Sequence, residues 1–557
     1  MSIVSPLIST SHNPHVASPT RLLTAHAKWR IMRHLTLALI GVFFLTTLRD
    51  GHTWGDDFAQ YLQHADNIVH SVPYAETGYI YNPQNAIVGP QAYPPAYPTA
   101  LAPVAALCGA NLNAYKALGV FFFLMTLLVA TRLFSNDLSA RNVWICLTVV
   151  GFSPIFWAIK DGIMSEHLFV PLWYGAVLAT DDWYRRQKIY GNQTLHGIIL
   201  GMLIFLTCAT RTVGIVLLPM VVICEALLAR RVTRVGILAL LTAISLLVAE
   251  RLVFPASGAG YIEQLSGISV SQLLANAYSD TTSFSLIWQN GHWDSVRRIA
   301  GAGFAVLAAI GFLRANVWRP TPLGTAMAAY FAVIVIWPSA DGLRMILPLL
   351  PAFVFYVLVG MNALRLIPDA LRPLSSLLKN GSRPRAATVP EWFFRGLLPT
   401  CTAPLQSRLD VKLTASAGSL ALLLFSLFSF GAAYATADFG PIPTGIATRP
   451  AAELFEFVRK QTRPDEVCLF FKPRALALYT GRRSSAFPLG TDEHAFWEYA
   501  EAIGAKIIIV RDEAADRIDE DQTSEMAAPF AARDIEEVFH NSMFRAYRWK
   551  PSLHAAQ

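Results

Sequence analysis

The chain has 557 residues, 54% of them hydrophobic and 15% charged, with 45 Lys and Arg against 38 Asp and Glu for a net charge of +7. That is too apolar for a water-soluble globular protein of this length. The excess cations sit in short stretches between apolar runs, where they report membrane topology and give no sign of a nucleic-acid partner.

A polar tail with Arg21, Lys28, Arg30 and Arg33 precedes the first apolar run, and no small-residue cleavage site follows it. Residues 1–33 are therefore expected to form a cytoplasmic tail and the run at 35–48 to stay as a helix. Further uncharged runs at 117–130, 143–158, 168–180, 197–229 with one interruption, 235–249, 299–313, 323–338, 345–360 and 414–434 predict about eleven membrane-spanning helices over residues 34–438. With the tail inside, five basic segments share the cytoplasmic face: Arg132 and Arg141, Arg185 to Lys188, Arg230 to Arg234, Arg314 and Arg319, and the loop 363–413. The same parity places outside the first loop 49–97, the loop 159–165, the break at Arg211, the loop 254–298, the turn at Asp341 and the C-terminus. Arg297 and Arg298 are the misfit, read as partners of lipid phosphates.

The first external loop opens with Arg49-Asp50-Gly51-His52-Thr53-Trp54-Gly55-Asp56-Asp57. Beyond it Phe58, Tyr61, Leu62, Ala65, Ile68 and Val69 share one helical face, while Gln60, Gln63, His64 and Asn67 take the other, the pattern of a helix lying flat on a membrane surface. Asp56 stands at its N-terminus, where free amides and the helix dipole favour an ionised carboxylate. Such a group suits a general base and equally an ordinary helix cap. The adjacent pair Asp56 and Asp57 also leaves a divalent metal open, although no other ligands stand nearby. His52, His64 and His292 have no partner at metal-ligand spacing and read as surface or interfacial residues.

A charge inside a span costs about 3 kcal/mol on insertion scales, so Glu166, Arg211 and Arg344 are expected to face protein or water and are functional candidates. Each has a plainer reading too: a helix cap for Glu166, bonds to carbonyls freed at a helix break for Arg211, snorkelling for Arg344. Lys160 and Asp161 are expected to pair with each other. From residue 439 to 557 the composition becomes that of a soluble domain, with strands at 467–471 and 506–510, a helix at 495–503, and helical spacing of Ala451, Leu454, Phe455 and Val458. This small α/β domain carries neither a phosphate-binding glycine fingerprint nor a nucleophile motif, so it reads as a cover for a membrane site or a grip on an acceptor. The cysteines form no CxxC pair, which argues against a zinc knuckle and a disulfide framework.

In order along the chain stand Trp54-Gly55-Asp56-Asp57 with Tyr61, Ala65 and Tyr74, then Tyr93-Pro94-Pro95-Ala96-Tyr97-Pro98, Met164-Ser165-Glu166, Thr210-Arg211-Thr212-Val213-Gly214, and Leu343-Arg344-Met345-Ile346-Leu347-Pro348-Leu349-Leu350-Pro351. This succession resembles the GT-C superfold of membrane glycosyltransferases, in particular bacterial relatives of the protein O-mannosyltransferases and the lipid A aminoarabinose transferase. It covers residues 35–360 and departs from the family's Arg-Tyr-x-x-Pro-x-x-Pro pattern by Met345 in place of tyrosine.

The resemblance implies an α-helical polytopic protein of the bacterial inner membrane with a small C-terminal extracytoplasmic α/β domain. It further implies transfer of a sugar from a polyprenyl-phosphate carrier to a hydroxyl or amine of an acceptor protein, lipid or polysaccharide on the extracytoplasmic face. Asp56 then corresponds to the catalytic base or acceptor contact, Asp57 to the second acidic residue, where relatives often carry Glu, and Glu166 to a further acidic site. The departing lipid phosphate gains charge as its bond breaks, and a cation near the headgroups would stabilise it, a task for Arg211 and Arg344. Tyr61, Tyr93 and Tyr97 are candidate acceptor or sugar contacts, although Tyr93 and Tyr97, like Trp288 and Trp293, also fit the aromatic belt at a membrane boundary. Asp56, Glu166, Arg211 and Arg344 are expected to converge on one cavity. The rival expectation is a transporter or lipid flippase for an envelope glycan precursor, which would hold its polar residues at the bilayer midplane in broken helices.

Overall fold

The computed structural model describes residues 19–85, 88–186, 192–254, 269–317, 319–337, 343–363, 417–489, 493–511 and 535–549. Residues 1–18 of the expected tail 1–33, Lys188, Asp341 and nearly all of the expected loop 363–413 lie outside them.

Eight described helices are long and apolar enough to cross a membrane: Lys28–Thr46, Leu112–Phe134, Gln193–Thr210, Thr212–Ala229, Arg234–Val253, Asp294–Asn316, Arg344–Ala363 and Ala417–Ala435. The chain is an integral membrane protein. Of the other expected spans, 323–338 is the shorter helix Pro322–Ile336 and 168–180 lies within Glu166–Arg186, whose polar ends keep it from reading as uniformly apolar. The span expected at 143–158 is two helices, Ala140–Gly151 and Pro154–Ile159. Ser153 breaks them apart in an extended conformation, its hydroxyl donating to the Ile287 carbonyl at 2.9 Å, and Pro154 restarts the helix where a missing N–H costs nothing.

The interruption at Arg211 has a stereochemical cause. Arg211 is extended (φ −148°, ψ 133°), and the chain then doubles into a 3-10 turn, Thr212–Val216. A Cβ on Gly214 would come within 2.8 Å of the Thr207–Cys208 backbone, so this turn closes only around glycine. Arg211 is thereby turned out of the apolar ladder and towards the end of the bundle that carries the first loop.

That loop departs from the flat surface helix expected of it. Helix Asp57–His70 buries Phe58, Tyr61, Leu62 and Ala65 on one side, and on the other Gln60, His64 and Asn67 are buried as well. The polar face is satisfied by the loop that follows: Asn67 Nδ2 donates to the carbonyls of Pro73, Tyr74 and Glu76 at 2.9–3.3 Å, His64 Nδ1 to Tyr74 O at 2.7 Å, and Gln60 to Gln91 O. The amphipathic pattern thus marks an apolar face against the bundle and a polar face that templates a loop, a distinction periodicity does not carry. His52 and His64 are correspondingly interior residues, not surface ones. Burial lowers both imidazoles to about 4, and each is pinned as a neutral ring, His52 Nε2 accepting from Ile163 N–H at 3.1 Å and His64 Nε2 from Tyr93 N–H at 3.3 Å.

Two of the expected boundary aromatics are interior as well. Tyr97 packs edge-on against Tyr61 at 4.9 Å, and Trp288 donates to Ser426 Oγ at 2.8 Å; both are buried. Trp293 remains 42% exposed, stacked on Phe428. Lys160 and Asp161 pair at 2.7 Å, and Arg297 and Arg298 both approach Asp294.

The C-terminal α/β domain holds a six-stranded sheet in the order β1-β3-β2-β4-β6-β5, with β1 Tyr79–Ile80, β2 Val467–Leu469, β3 Arg483–Ser485, β4 Ala505–Arg511, β5 Ile535–His540 and β6 Phe544–Trp549. The first four strands in that order pair in parallel, the last two pairings are antiparallel. Helix Pro473–Thr480 crosses from β2 to β3, and Ile507, Ile508 and Ile509 of central β4 are all buried, as a parallel strand covered on both faces requires. The edge strand β1 belongs to the first loop, 405 residues upstream of its partner. Trp54 of the same loop sits among Phe455, Phe470, Phe471 and Phe544 of the domain at 5.7–5.9 Å between ring centres. Loop and domain form one packed unit.

Candidate functional site

Asp57 opens the helix Asp57–His70, and its two oxygens look opposite ways. Oδ2 accepts from Arg344 Nη1 at 2.8 Å; Oδ1 accepts from the Tyr93 hydroxyl at 2.6 Å and from Arg474 Nη1 at 3.1 Å. Arg344 continues the network through Nε to Glu166 Oε1 at 2.8 Å and Nη2 to Oε2 at 3.3 Å, and Arg211 Nη1 stands 2.6 Å from the same Oε1. Ser165 Oγ receives the Tyr61 hydroxyl at 3.0 Å and Arg211 Nη1 at 3.3 Å, and the Tyr61 ring lies 5.0 Å from that of Tyr93. Arg211 Nη2 also points at Met345 Sδ, 3.9 Å away, in the place where the resemblance anticipated a tyrosine.

Asp57, Glu166, Arg211 and Arg344 therefore form one continuous network drawn from four segments. Glu166 is 3% exposed while Arg344 keeps 38% of its side-chain surface, so the acid is sealed and the arginine is half-buried. Tyr97 lies beneath this network as packing, Tyr61 joins it through Ser165, and Tyr93 enters it directly.

Asp56 stands beside the network and is held differently. Its side chain does not cap the helix it precedes. Oδ1 instead accepts the backbone N–H of Ala475 at 3.0 Å, in the first turn of Pro473–Thr480, and Oδ2, 3.8 Å from Arg474 Nε, has no hydrogen-bond partner among the described residues. Burial pushes the Asp56 carboxyl above its ordinary range, more than Arg474, Lys472 and the Ala475 amide pull it down. Burial acts on Asp57 as well, but the guanidiniums of Arg344 and Arg474 and the Tyr93 hydroxyl outweigh it and hold that carboxyl well below the usual range. The expectation that Asp56 caps the helix it precedes is corrected: it bonds the Ala475 amide of another helix and has raised proton affinity, and Asp57 is the acid held in its ionised form.

Arg474 is the site residue that reading the sequence missed. It is fully buried, its guanidinium 4.8 Å from the ring centres of both Tyr79 and Tyr93, with Nη1 donating to the Tyr93 hydroxyl at 2.6 Å and Nη2 to Pro90 O at 3.1 Å. The available signal was its position just past the carboxyl end of strand β2, where open parallel sheets carry their functional side chains.

A divalent cation needs several oxygen ligands converging on one point. Here both Asp57 oxygens and both Glu166 oxygens already accept from cations, leaving Asp56 Oδ2, and no group of three His, Cys, Asp or Glu side chains at metal-holding spacing occurs among the described residues. The donor set does not fit a protein-built metal centre.

No family profile matches the chain, and no curated protein matches it in sequence. Solved structures do. The chain superposes on ArnT, the lipid A aminoarabinose transferase, from Cupriavidus metallidurans bound to undecaprenyl phosphate with a TM-score of 0.51 at 12% identity, covering 94% of this chain and 99% of that one. Apo ArnT gives 0.50 at 11% identity over 94% and 98%. The oligosaccharyltransferase AglB from Archaeoglobus fulgidus, in complex with an inhibitory peptide and a dolichol-phosphate, gives 0.48 at 12% identity over 86% and 69%. The agreement with ArnT runs from end to end of both chains, membrane helices and terminal domain together, and fixes the architecture: this protein has the GT-C superfold.

Proposed function

We propose that the protein is a glycosyltransferase that moves a sugar from a polyprenyl-phosphate carrier to an acceptor hydroxyl or amine on the extracytoplasmic side of a bacterial inner membrane. The observation that carries this is the pairing of two unlike carboxylates beside a partly exposed arginine: Asp56 with raised proton affinity and an unpartnered oxygen, Asp57 locked ionised, and Arg344 between Asp57 and Glu166. In the transfer step the acceptor oxygen or nitrogen bonds to the anomeric carbon, its proton passes to Asp56, and the bond to the phosphate oxygen breaks with its electrons leaving on the lipid phosphate. Arg344 and Arg211 are cations suited to receive that growing charge. Asp57 and Glu166 hold the two guanidiniums in place and offset their charge in the absence of donor. The ArnT structure with undecaprenyl phosphate makes a polyprenyl phosphate the ligand class to test first. The outward orientation rests on the five basic segments sharing the opposite side.

The test uses full-length protein in proteoliposomes with labelled sugars on undecaprenyl phosphate and an envelope extract as acceptor. Carrier-dependent covalent labelling by the wild type and its loss in Asp56→Asn is the expected result. Full activity of Asp56→Asn removes Asp56 from the mechanism, and movement of the labelled lipid across the bilayer without covalent change replaces transfer with transport.

A further inference from the structure

Arg474 belongs to the extramembrane domain, yet it closes the charge network of the membrane core, and at 0% exposure it cannot itself touch a substrate. Its neighbour Ala475 supplies the amide bound by Asp56 Oδ1. One dipeptide of the C-terminal domain therefore holds one oxygen of each aspartate of the acidic pair. We propose that Arg474 is a positioning residue for Asp56 and Asp57, and that the C-terminal domain, docked through it, is an integral part of the catalytic centre. This rests on the transfer reading above.

Three features make the docking rigid. The guanidinium is clamped between the faces of Tyr79 and Tyr93, and Tyr79 is itself in strand β1, paired to β3 directly after the Arg474 helix. Its Nη2 ties it to the Pro90 carbonyl of the first loop. The domain also bonds the loop backbone on the other side of the aspartates, Ile442 N–H to Asp50 O at 2.9 Å and Ile446 N–H to His52 O at 3.1 Å. The acidic pair is thus bracketed by domain contacts before and after it in sequence. With Oδ1 of Asp56 fixed by an amide, Oδ2 is left as the oxygen that can take a proton.

The charges facing Asp56 are Arg474 and Lys472 from the domain and Asp57 from its own segment; those facing Asp57 are Arg344 and Arg474, with the Tyr93 hydroxyl. Removing the Arg474 charge takes one cation from each aspartate and raises the proton affinity of Asp56 further. If Asp56 must be ionised to accept a proton, the acid limb of the rate profile moves to higher pH.

The experiment measures sugar transfer against pH for full-length wild type, Arg474→Gln and Arg474→Lys in proteoliposomes. Arg474→Gln is expected to move the acid limb alkaline by about one pH unit or more, with kcat falling while KM for the lipid donor stays within about twofold of the wild type. Arg474→Lys, which keeps the charge but loses the forked donor, is expected to restore the limb without restoring kcat. Should Arg474→Gln fail to fold, Arg474→Lys together with Tyr79→Leu, which removes one face of the clamp and keeps the guanidinium, carries the same test through kcat against KM. A wild type that transfers sugar while the folded variants keep its limb and its kcat overturns the positioning role alone. A wild type that transfers no sugar under any condition overturns the functional reading first, and this inference with it.

Discussion

Helix Glu166–Arg186 carries a charge network at each end, and the two are built on opposite plans. At its close, Arg185 meets Asp137 through Nη1 and Nη2 at 3.1 and 2.8 Å and Asp181, one turn back, through Nε at 2.6 Å, while Asn136 donates to Asp181 at 2.9 Å. All of these groups come from two adjacent segments, and the geometry is that of a forked guanidinium on carboxylates, the most favourable way to retire a buried charge. At its start, Glu166 meets Arg344, 178 residues on, and through it Asp57 and the Arg474 of a separate domain. There the charges are brought from far apart, Arg344 keeps 38% of its side-chain surface exposed, and Asp56 is held by the backbone of another domain. A 21-residue helix is about 30 Å long, so the two networks lie about one hydrocarbon thickness apart. Ionic content alone does not distinguish the two ends; the range of segments each network ties together does.

That contrast can be broken by experiment. The largest effect is expected from Asp56→Asn, which lowers the transfer rate by about 10²- to 10⁴-fold with insertion into the membrane unchanged, measured by product formation per folded molecule. At the far end Arg185→Leu strands Asp181 and costs about 3 kcal/mol of stability, visible as a lower Tm in detergent, while transfer per folded molecule and its pH profile stay as in the wild type. Arg344→Ala falls between the two kinds: it weakens binding of undecaprenyl phosphate by about ten- to a hundredfold, the worth of charged hydrogen bonds, and leaves the position of the acid limb governed by Asp56. Tyr93→Phe removes one hydrogen bond to Asp57 and is expected to cost about 1 kcal/mol, a several-fold loss in rate.

The acidic pair adds a pH test. Asp57, held below the usual range, contributes stability that is present above its unfolded value of about 3.9 and is lost as pH falls below it towards the folded value. Asp56, raised by burial, costs stability as pH climbs above the same unfolded value and is neutral below it. Asp57→Asn should therefore flatten the acid side of a Tm-against-pH curve, and Asp56→Asn should raise its neutral side.

The membrane architecture was legible because uncharged runs and basic loops are one-dimensional signals. The spans at 197–229, the break at Arg211 and the strands at 467–471 and 506–510 follow from local pattern, whereas the strands Arg483–Ser485, Ile535–His540 and Phe544–Trp549 and the edge strand Tyr79–Ile80 do not. The burial cost of a charge singled out Glu166, Arg211 and Arg344, which the fold brings together. What the pattern could not carry was the partner of each polar group. Gln60, His64 and Asn67 look solvent-facing until the carbonyls of residues 73–76 and 91 are placed against them. Asp56 looks like a helix cap until Ala475 appears. Arg474 lies in a segment without any motif, and its meaning depends on a contact 417 residues away in sequence.

The edge strand Tyr79–Ile80 also constrains how the molecule comes into being. Its neighbour Ser484–Ser485 leaves the ribosome some 400 residues later, which at about 5–20 residues per second is a wait of roughly 20–80 s. Through that interval Trp54 and the backbone of residues 79–80 stand bare on a nascent chain already threaded into the bilayer. Completion of the sheet around the acidic pair is therefore among the last events of biogenesis, and a product cut short before β3 lacks the strand that pairs with Tyr79–Ile80.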